Sequence, residues 1–376
     1  MQNSIYLDHN ATTPVAGEVA EAMWPYFTER HGNPSSTTPQ GRRARRAVEE
    51  AREQVAALLG AHADEVVFTS GGTEANNLAV RGAADVAGTR VLVTSPVEHP
   101  ATTAPVAHLR ERHGWLVHEL PVDPSARFLT DRWPAGPVGL GTVILAHNET
   151  GTVQPVAVFA EAVHARGGVV HTDAAQAVGK IPVQVDELGV DLLSVAGHKL
   201  YAPQGVGALF VRRGVPLSPV LRGAGQERGI RPGTENVAGI VGLGAAAELA
   251  GTLLSTEPAR QAGLRERLWQ LLSRALSPLV RITPSQSALP NTLLVAVPGQ
   301  LGEDILARAA GVAASTGSAC HAGTHTPSAS LRAAGLADDV ALGSLRLTLG
   351  RSTTRAEVDP AADEIVRAVL AGSRAS

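Results

Sequence analysis

The sequence predicts an α/β protein, with a mostly parallel sheet covered on both faces by helices and a smaller α+β unit after it. Three observations carry this. Short, continuously apolar runs rich in Val, Ile and Leu alternate with helical patterns between Val66 and Val211. Runs without polar alternation mark strands buried on both faces. The texture then changes after a long helical stretch, and 376 residues are enough for two domains.

The elements follow in order. VVFT at 66–69 leads into a helix from about Thr73 to Val86, and RVLVT at 90–94 into one from about Pro100 to Arg112. TVILA at 142–146 precedes a helix near 155–166, after which GGVVHTD at 167–173, DLLSVA at 191–196 and GALFV at 207–211 come in quick succession. Right-handed crossovers are expected between the parallel strands. A helical stretch from about Glu235 to Leu276 breaks near Pro258. NTLLVAV at 291–297, a short helix near 302–309, a Gly/Ser/Ala-rich loop at 311–326, LRLTLG at 345–350 and a final helix from about Thr354 complete the chain. The expected division is a large domain over 15–255 and a small one built from 1–14 and 256–376.

Composition excludes several functions. A net charge of −3 offers no basic surface for nucleic acid or an anionic membrane. Hydrophobic content of 44% excludes a disordered chain, and the 39 Gly and 24 Pro are scattered rather than periodic. The most membrane-like stretch, Val237 to Leu254, is interrupted by Glu248 and four glycines. The opening MQNSIYLDHN lacks the basic and apolar regions of an export signal. One cysteine makes no internal disulfide, so the cytoplasm is the expected location. GRRARRAVEEAREQ at 41–54 reads as a solvated helix face with local ion pairs.

Of the 32 basic residues only Lys180 and Lys199 are lysines. A chain that uses arginine for plain positive charge singles out lysine for work arginine cannot do, such as forming an imine. Lys199, in LLSVAGHKLY, follows a buried strand at the carboxyl edge, where ligands of α/β sheets sit. Lys180, in AVGKIPV, reads as a surface or helix-end charge. Asp173 ends an apolar strand and needs strong hydrogen bonds or a cationic partner, either a protonated pyridine nitrogen or an arginine. In TSGGTEANNL, Thr73 opens a helix and serves either an anion site or a plain cap. His99 is either a cap residue or a flat ring stacked on a flat cofactor. Asn148 follows another strand, and Arg346 pairs with a carboxylate of the protein or of a substrate. Thr73, His99, Asn148, Asp173 and Lys199 thus share one edge. A lysine, a carboxylate and an anion cup together describe a pyridoxal phosphate site.

The chain resembles the cysteine desulfurases and selenocysteine lyases of the class V aminotransferase superfamily, fold type I. The resemblance rests on YLDHNATTP at 6–14, GNPSS at 32–36, FTSGGTEANNL at 68–78, VEH at 97–99, NETG at 148–151, HTDAAQAVGK at 171–180, GHK at 197–199, ERGIRPGTEN at 227–236, STGSACH at 315–321 and LRLTLGRSTT at 345–354. It implies a seven-stranded, mostly parallel sheet. It implies that Lys199 holds pyridoxal 5'-phosphate covalently and takes the substrate α-proton, that Asp173 pairs with the ring nitrogen, and that Gln176 bonds the ring hydroxyl. His99 would stack on the ring and assist proton transfer. Gly72, Thr73 and His198 would bind the phosphate, and Thr234 would reach the phosphate of the neighbouring subunit in a homodimer. Asn148 and Arg346 would hold the substrate carboxylate. Cys320, on a mobile loop, would attack the substrate sulfur as thiolate, giving a persulfide and alanine, and pass the sulfur to an acceptor protein.

Ala196 stands where desulfurases usually have a serine of the phosphate cup, and His9 and His147 occupy positions where other residues are expected. STGSACHA and GRSTTRAEVD read more like a selenocysteine lyase, so the alternative substrate is L-selenocysteine.

Overall fold

The computed structural model describes residues 4–321 and 324–372, with the side chains of 318–325 outside that description. Seven strands form the central sheet, in the order Val66–Thr69, Gly207–Val211, Leu192–Ala196, Val169–Asp173, Leu140–Ile144, Val91–Thr94, Leu116–Glu119. From Leu192–Ala196 onward the neighbours run parallel, while Gly207–Val211 is antiparallel to both strands beside it. The sheet is therefore mostly parallel, as expected. Val66–Thr69, Leu140–Ile144, Leu192–Ala196 and Gly207–Val211 are buried at every residue, which is why they read as unbroken apolar runs.

Leu116–Glu119 was not anticipated. It lies at the sheet edge with exposed ends and the polar sequence LVHE, so it carries no burial signal. The expected loop at 311–326 is also corrected. Val312–Ala313 pairs with Ile5–Tyr6, Ser315–Thr316 pairs with Ser344–Thr348, and Ser318–His321 forms a ribbon with Thr324–Pro327. Distant partners supply these ladders, so local composition does not reveal them.

Helices cover both faces of the sheet. Gly72–Val86 turns Ala75, Leu78, Ala79 and Ala83 inward at helical spacing. Pro39–Leu59 starts at Thr38, whose side chain accepts from Gly41 N, and ends at left-handed Gly60. Its Ala51 lies against Gly244 of helix Val237–Leu253, where a Cβ would meet the Ala51 Cα at 2.6 Å. The expected break near Pro258 falls at residues 254–256, just before helix Glu257–Ala275.

A second apolar cluster joins Leu7 to Leu268, Leu293, Leu347 and Ile365, around the four-stranded sheet that contains Thr292–Ala296 and Ser344–Thr348. The N-terminal segment thus packs with the last third of the chain. Asp8 bridges Thr348.

One buried ion pair fixes the segment leading to Thr234. Arg52 (5% exposed) donates from both terminal nitrogens to Glu227 (7% exposed), at 2.8 and 2.7 Å. Glu227 also accepts from Phe68 N at 2.8 Å. Glu227 and Arg228 have φ of 44° and 57°, a strained region for non-glycine residues. Arg52→Ala leaves a buried carboxylate unpaired, and removing one member of a buried pair costs about 3–5 kcal/mol. We expect a corresponding fall in the urea unfolding midpoint, with Glu227→Ala costing less because Arg52 keeps Glu49 and Val66 O as partners.

Candidate active site

The carboxyl ends of the parallel strands and the first turn of Gly72–Val86 enclose a cavity of about 390 Å³. The structure brings Gly72, Thr73, His99, Asn148, Asp173, Gln176, His198, Lys199 and Arg346 together in its lining. Thr234 is not part of it; the residue is exposed at the surface of this chain. Cys320 lies opposite His325 in the ribbon, and its side chain falls outside the described residues.

Register explains the convergence. Asp173 pairs with Ile144, so those two strands end level, and with Ser194 on the other side, where Leu192–Ala196 runs two residues further. Asp173 is 3% exposed. Its Oδ2 accepts from Asn76 Nδ2 at 2.6 Å, and its Oδ1 from Ala175 N at 3.0 Å. No arginine pairs with it among the described residues, so its charge is held by neutral donors and faces the cavity.

Lys199 sits in a short 3-10 turn at the end of strand Leu192–Ala196. Its Nζ donates to the carbonyls of Asn10 and Ala11, both at 2.6 Å. Burial, then Arg346, pushes its pKa down to about 8, against the opposing pull of Asp8 and Asp173. His198 points Nδ1 at Thr12 Oγ1, 3.1 Å away, and burial with the two lysines lowers its pKa to about 4.

Gly72 and Thr73 open a helix that no side chain caps, and so present free N–H groups to the cavity. Gly71 before them has φ 145°, a conformation that favours glycine. A Cβ on Gly72 would come within 3.1 Å of the Ala196 Cβ, which leaves little room for larger groups between them. His99 caps helix Pro100–His113, its Nδ1 accepting from Ala101 N at 3.1 Å. The neutral ring therefore carries its proton on Nε2. Burial lowers its pKa, opposed by Asp173 and aided by Lys199.

Arg346 has a protein partner, donating to Asp8 Oδ1 at 2.9 Å. Its Nε is buried and has no partner among the described residues, so the guanidinium retains a donor. Beside it, Glu149 accepts from Ser328 Oγ at 3.0 Å, while Ser328 N donates to Gly317 O at 2.9 Å. The base of the Cys320 ribbon is thereby tied to the residue next to Asn148.

Sequence reasoning missed Asn10, Asn76 and the placement of Lys180. Asn76 was visible as an amide three residues after Thr73, on the buried face of an apolar helix. Lys180 is not the surface charge expected. The residue is half-buried, but its Nζ points inward to Gln176 Oε1 at 2.6 Å and Asn10 Oδ1 at 3.0 Å. Left-handed Gly179 turns the chain there.

Such an edge, with an activated amine, a buried carboxylate and an uncapped helix start, defines an enzyme active site on an α/β scaffold. The chain belongs to the class-V aminotransferase family, a family of pyridoxal phosphate enzymes, whose sequence pattern matches residues 5–360. It is 46% identical over 368 residues to a cysteine desulfurase of Gluconacetobacter diazotrophicus, covering 96% of this chain and 92% of that protein. It is 41% identical over 376 residues to the cysteine desulfurase IscS of Dictyoglomus turgidum, covering 98% and 95%. Among solved structures, a NifS-like protein superposes with a TM-score of 0.90 at 34% identity over 98% of this chain and 99% of that one. SspA in complex with cysteine superposes with a TM-score of 0.79 at 32% identity, over 92% and 99%.

The lowered Lys199 pKa makes a direct prediction. In cofactor-free protein, modification of Lys199 by a small amine reagent, followed by peptide mass spectrometry, should reach half its maximal rate near pH 8. The amine is protonated and inert below that pH and free above it. A midpoint near the ordinary lysine value of about 10.4 would show no activation.

Proposed function

We propose that this chain is a pyridoxal-phosphate-dependent cysteine desulfurase that converts L-cysteine to L-alanine and leaves the sulfur on Cys320 as a persulfide. The observation that carries the reading is the meeting of Lys199, Asp173 and the uncapped helix start in one cavity.

The donor set fits the cofactor. Asp173 supplies an anion for a protonated ring nitrogen and is already oriented by Asn76. Gly72 and Thr73 offer N–H groups and a hydroxyl for a phosphate, and His198 stands beside them. Ala196 offers no hydroxyl there, and the phosphate loses one donor. His99 lines the cavity where its ring can stack. Gln176 lines it with a free amide hydrogen. Thr234, exposed on this chain, would serve a second copy in a homodimer. When bound, pyridoxal phosphate supplies the electron sink that lets the α-carbon lose its proton.

The rest is done by the chain. Arg346, with its unpartnered Nε, and Asn148 hold the substrate carboxylate and so orient the amino acid. Lys199 Nζ, free at a pH near 8, takes the α-proton. His99 Nε2–H can donate a proton as the product forms. Cys320 Sγ then attacks the substrate sulfur: an S–S bond forms, the Cβ–S bond breaks, and L-cysteine plus the Cys320 thiol become L-alanine plus the persulfide. An acceptor protein removes the sulfur. The division into a large domain over 15–255 and a small one from 1–14 and 256–376 belongs to this reading, because it puts Cys320 and Arg346 on one body and Lys199 on the other.

The test is alanine formation from L-cysteine and L-selenocysteine in parallel. Wild type should form alanine from L-cysteine, and Cys320→Ala should lose at least a hundredfold on L-cysteine while still binding the cofactor. Alanine from selenocysteine alone would replace this reading with a selenocysteine lyase.

A further inference from the structure

Lys180 has no part in the chemistry above, yet its nitrogen lies inside the protein beside the site. It donates to two neutral acceptors, Gln176 Oε1 at 2.6 Å and Asn10 Oδ1 at 3.0 Å. No ion pair joins it to a carboxylate among the described residues. A buried amine without a counter-charge is expensive, and an apolar side chain would avoid the cost. Burial, Lys199 and Arg346 push its pKa well down. The geometry holds in either protonation state, since an uncharged amine keeps two N–H bonds.

The consequence falls on Gln176. The two ends of an amide have nearly the same shape, and only hydrogen bonds decide which way it faces. Lys180 donates, so the amide oxygen faces Lys180 and Nε2 faces away. One Nε2 hydrogen goes to Asn10 O at 3.0 Å. The other is left for the cavity that Gln176 lines.

We propose that Lys180 is a positioning residue that locks the Gln176 amide, so that the cavity meets an N–H donor and never the carbonyl oxygen. This rests on the cofactor reading above: the group met by that N–H is an anionic ring oxygen of pyridoxal phosphate. Without the lock, only the bond to Asn10 O opposes a rotation that would turn a lone pair toward the same oxygen. Lys180 touches neither substrate nor cofactor and acts through Gln176, with Asn10 Oδ1 as its second anchor.

The test is an absorbance titration against pH of the cofactor-loaded protein. A donor to the anionic oxygen stabilises the deprotonated chromophore and holds its pKa down. Lys180→Met and Gln176→Ala should each raise that pKa by about one pH unit, the scale of one hydrogen bond to a charged group. The double variant should shift no further than Gln176→Ala alone, because both changes remove the same contact. Additive shifts, or an unshifted Lys180→Met, overturn the proposal. If Lys180→Met loses its native circular dichroism, Gln176→Glu replaces it as the test. Lys180 then holds one carboxylate oxygen, the other faces the cavity as an acceptor, and the pKa must rise above that of Gln176→Ala. A value at or below it overturns the proposal. Wild-type protein that takes up no pyridoxal phosphate and develops no chromophore overturns the cofactor reading, and this proposal with it.

Discussion

The backbone and side chain of Asn10 hold the site together. The residue is 1% exposed and lies where the two apolar cores meet. Its carbonyl accepts from Lys199 Nζ and Gln176 Nε2, and its Oδ1 from Lys180 Nζ and Asn291 Nδ2. Its Nδ2 donates to Asn148 O and Thr292 Oγ1, and its backbone N to Thr348 Oγ1. Each of these bonds replaces water that burial has removed, so losing one strands a polar group. Through them a single residue near the N-terminus joins the strand ends of the large sheet to the sheet that carries Arg346.

Positive charge is concentrated around this junction. Burial and then Arg346 lower the pKa of Lys199, burial, Lys199 and Arg346 lower that of Lys180, and burial with the two lysines lowers that of His198 to about 4. Asp8 and Asp173 offset part of that field: Asp8 is bonded to Arg346, and Asp173 is bonded only to neutral donors. The field favours an incoming anion, and it makes the lysine amines available without a strong base. A phosphate at the helix start and a substrate carboxylate at Arg346 would each relieve it.

The sheet was legible because strands such as Leu192–Ala196 and Gly207–Val211 are buried on both faces and carry their burial in every residue. The edge strand Leu116–Glu119 was not, since half-exposure leaves it no pattern. Likewise, the pairing of Ile5–Tyr6 with Val312–Ala313 joins residues about three hundred positions apart, which no local window contains. In the site, Asp173 and Lys199 were visible as charges at the ends of apolar strands. Asn10 was not, because its importance comes from groups brought to it by five other segments. Lys180 was misread for the same reason: a lysine after a turn looks solvated until Gln176 and Asn10 are seen to receive it.

The central claim is that Lys199, and not its neighbour Lys180, joins the cofactor. Reduction of the pyridoxal-phosphate-loaded protein with borohydride, followed by peptide mass spectrometry, tests it directly, since the chain has only two lysines. The account requires the added cofactor mass on the peptide containing Lys199 and none on that containing Lys180. Label on Lys180, or label divided between the two, would contradict it.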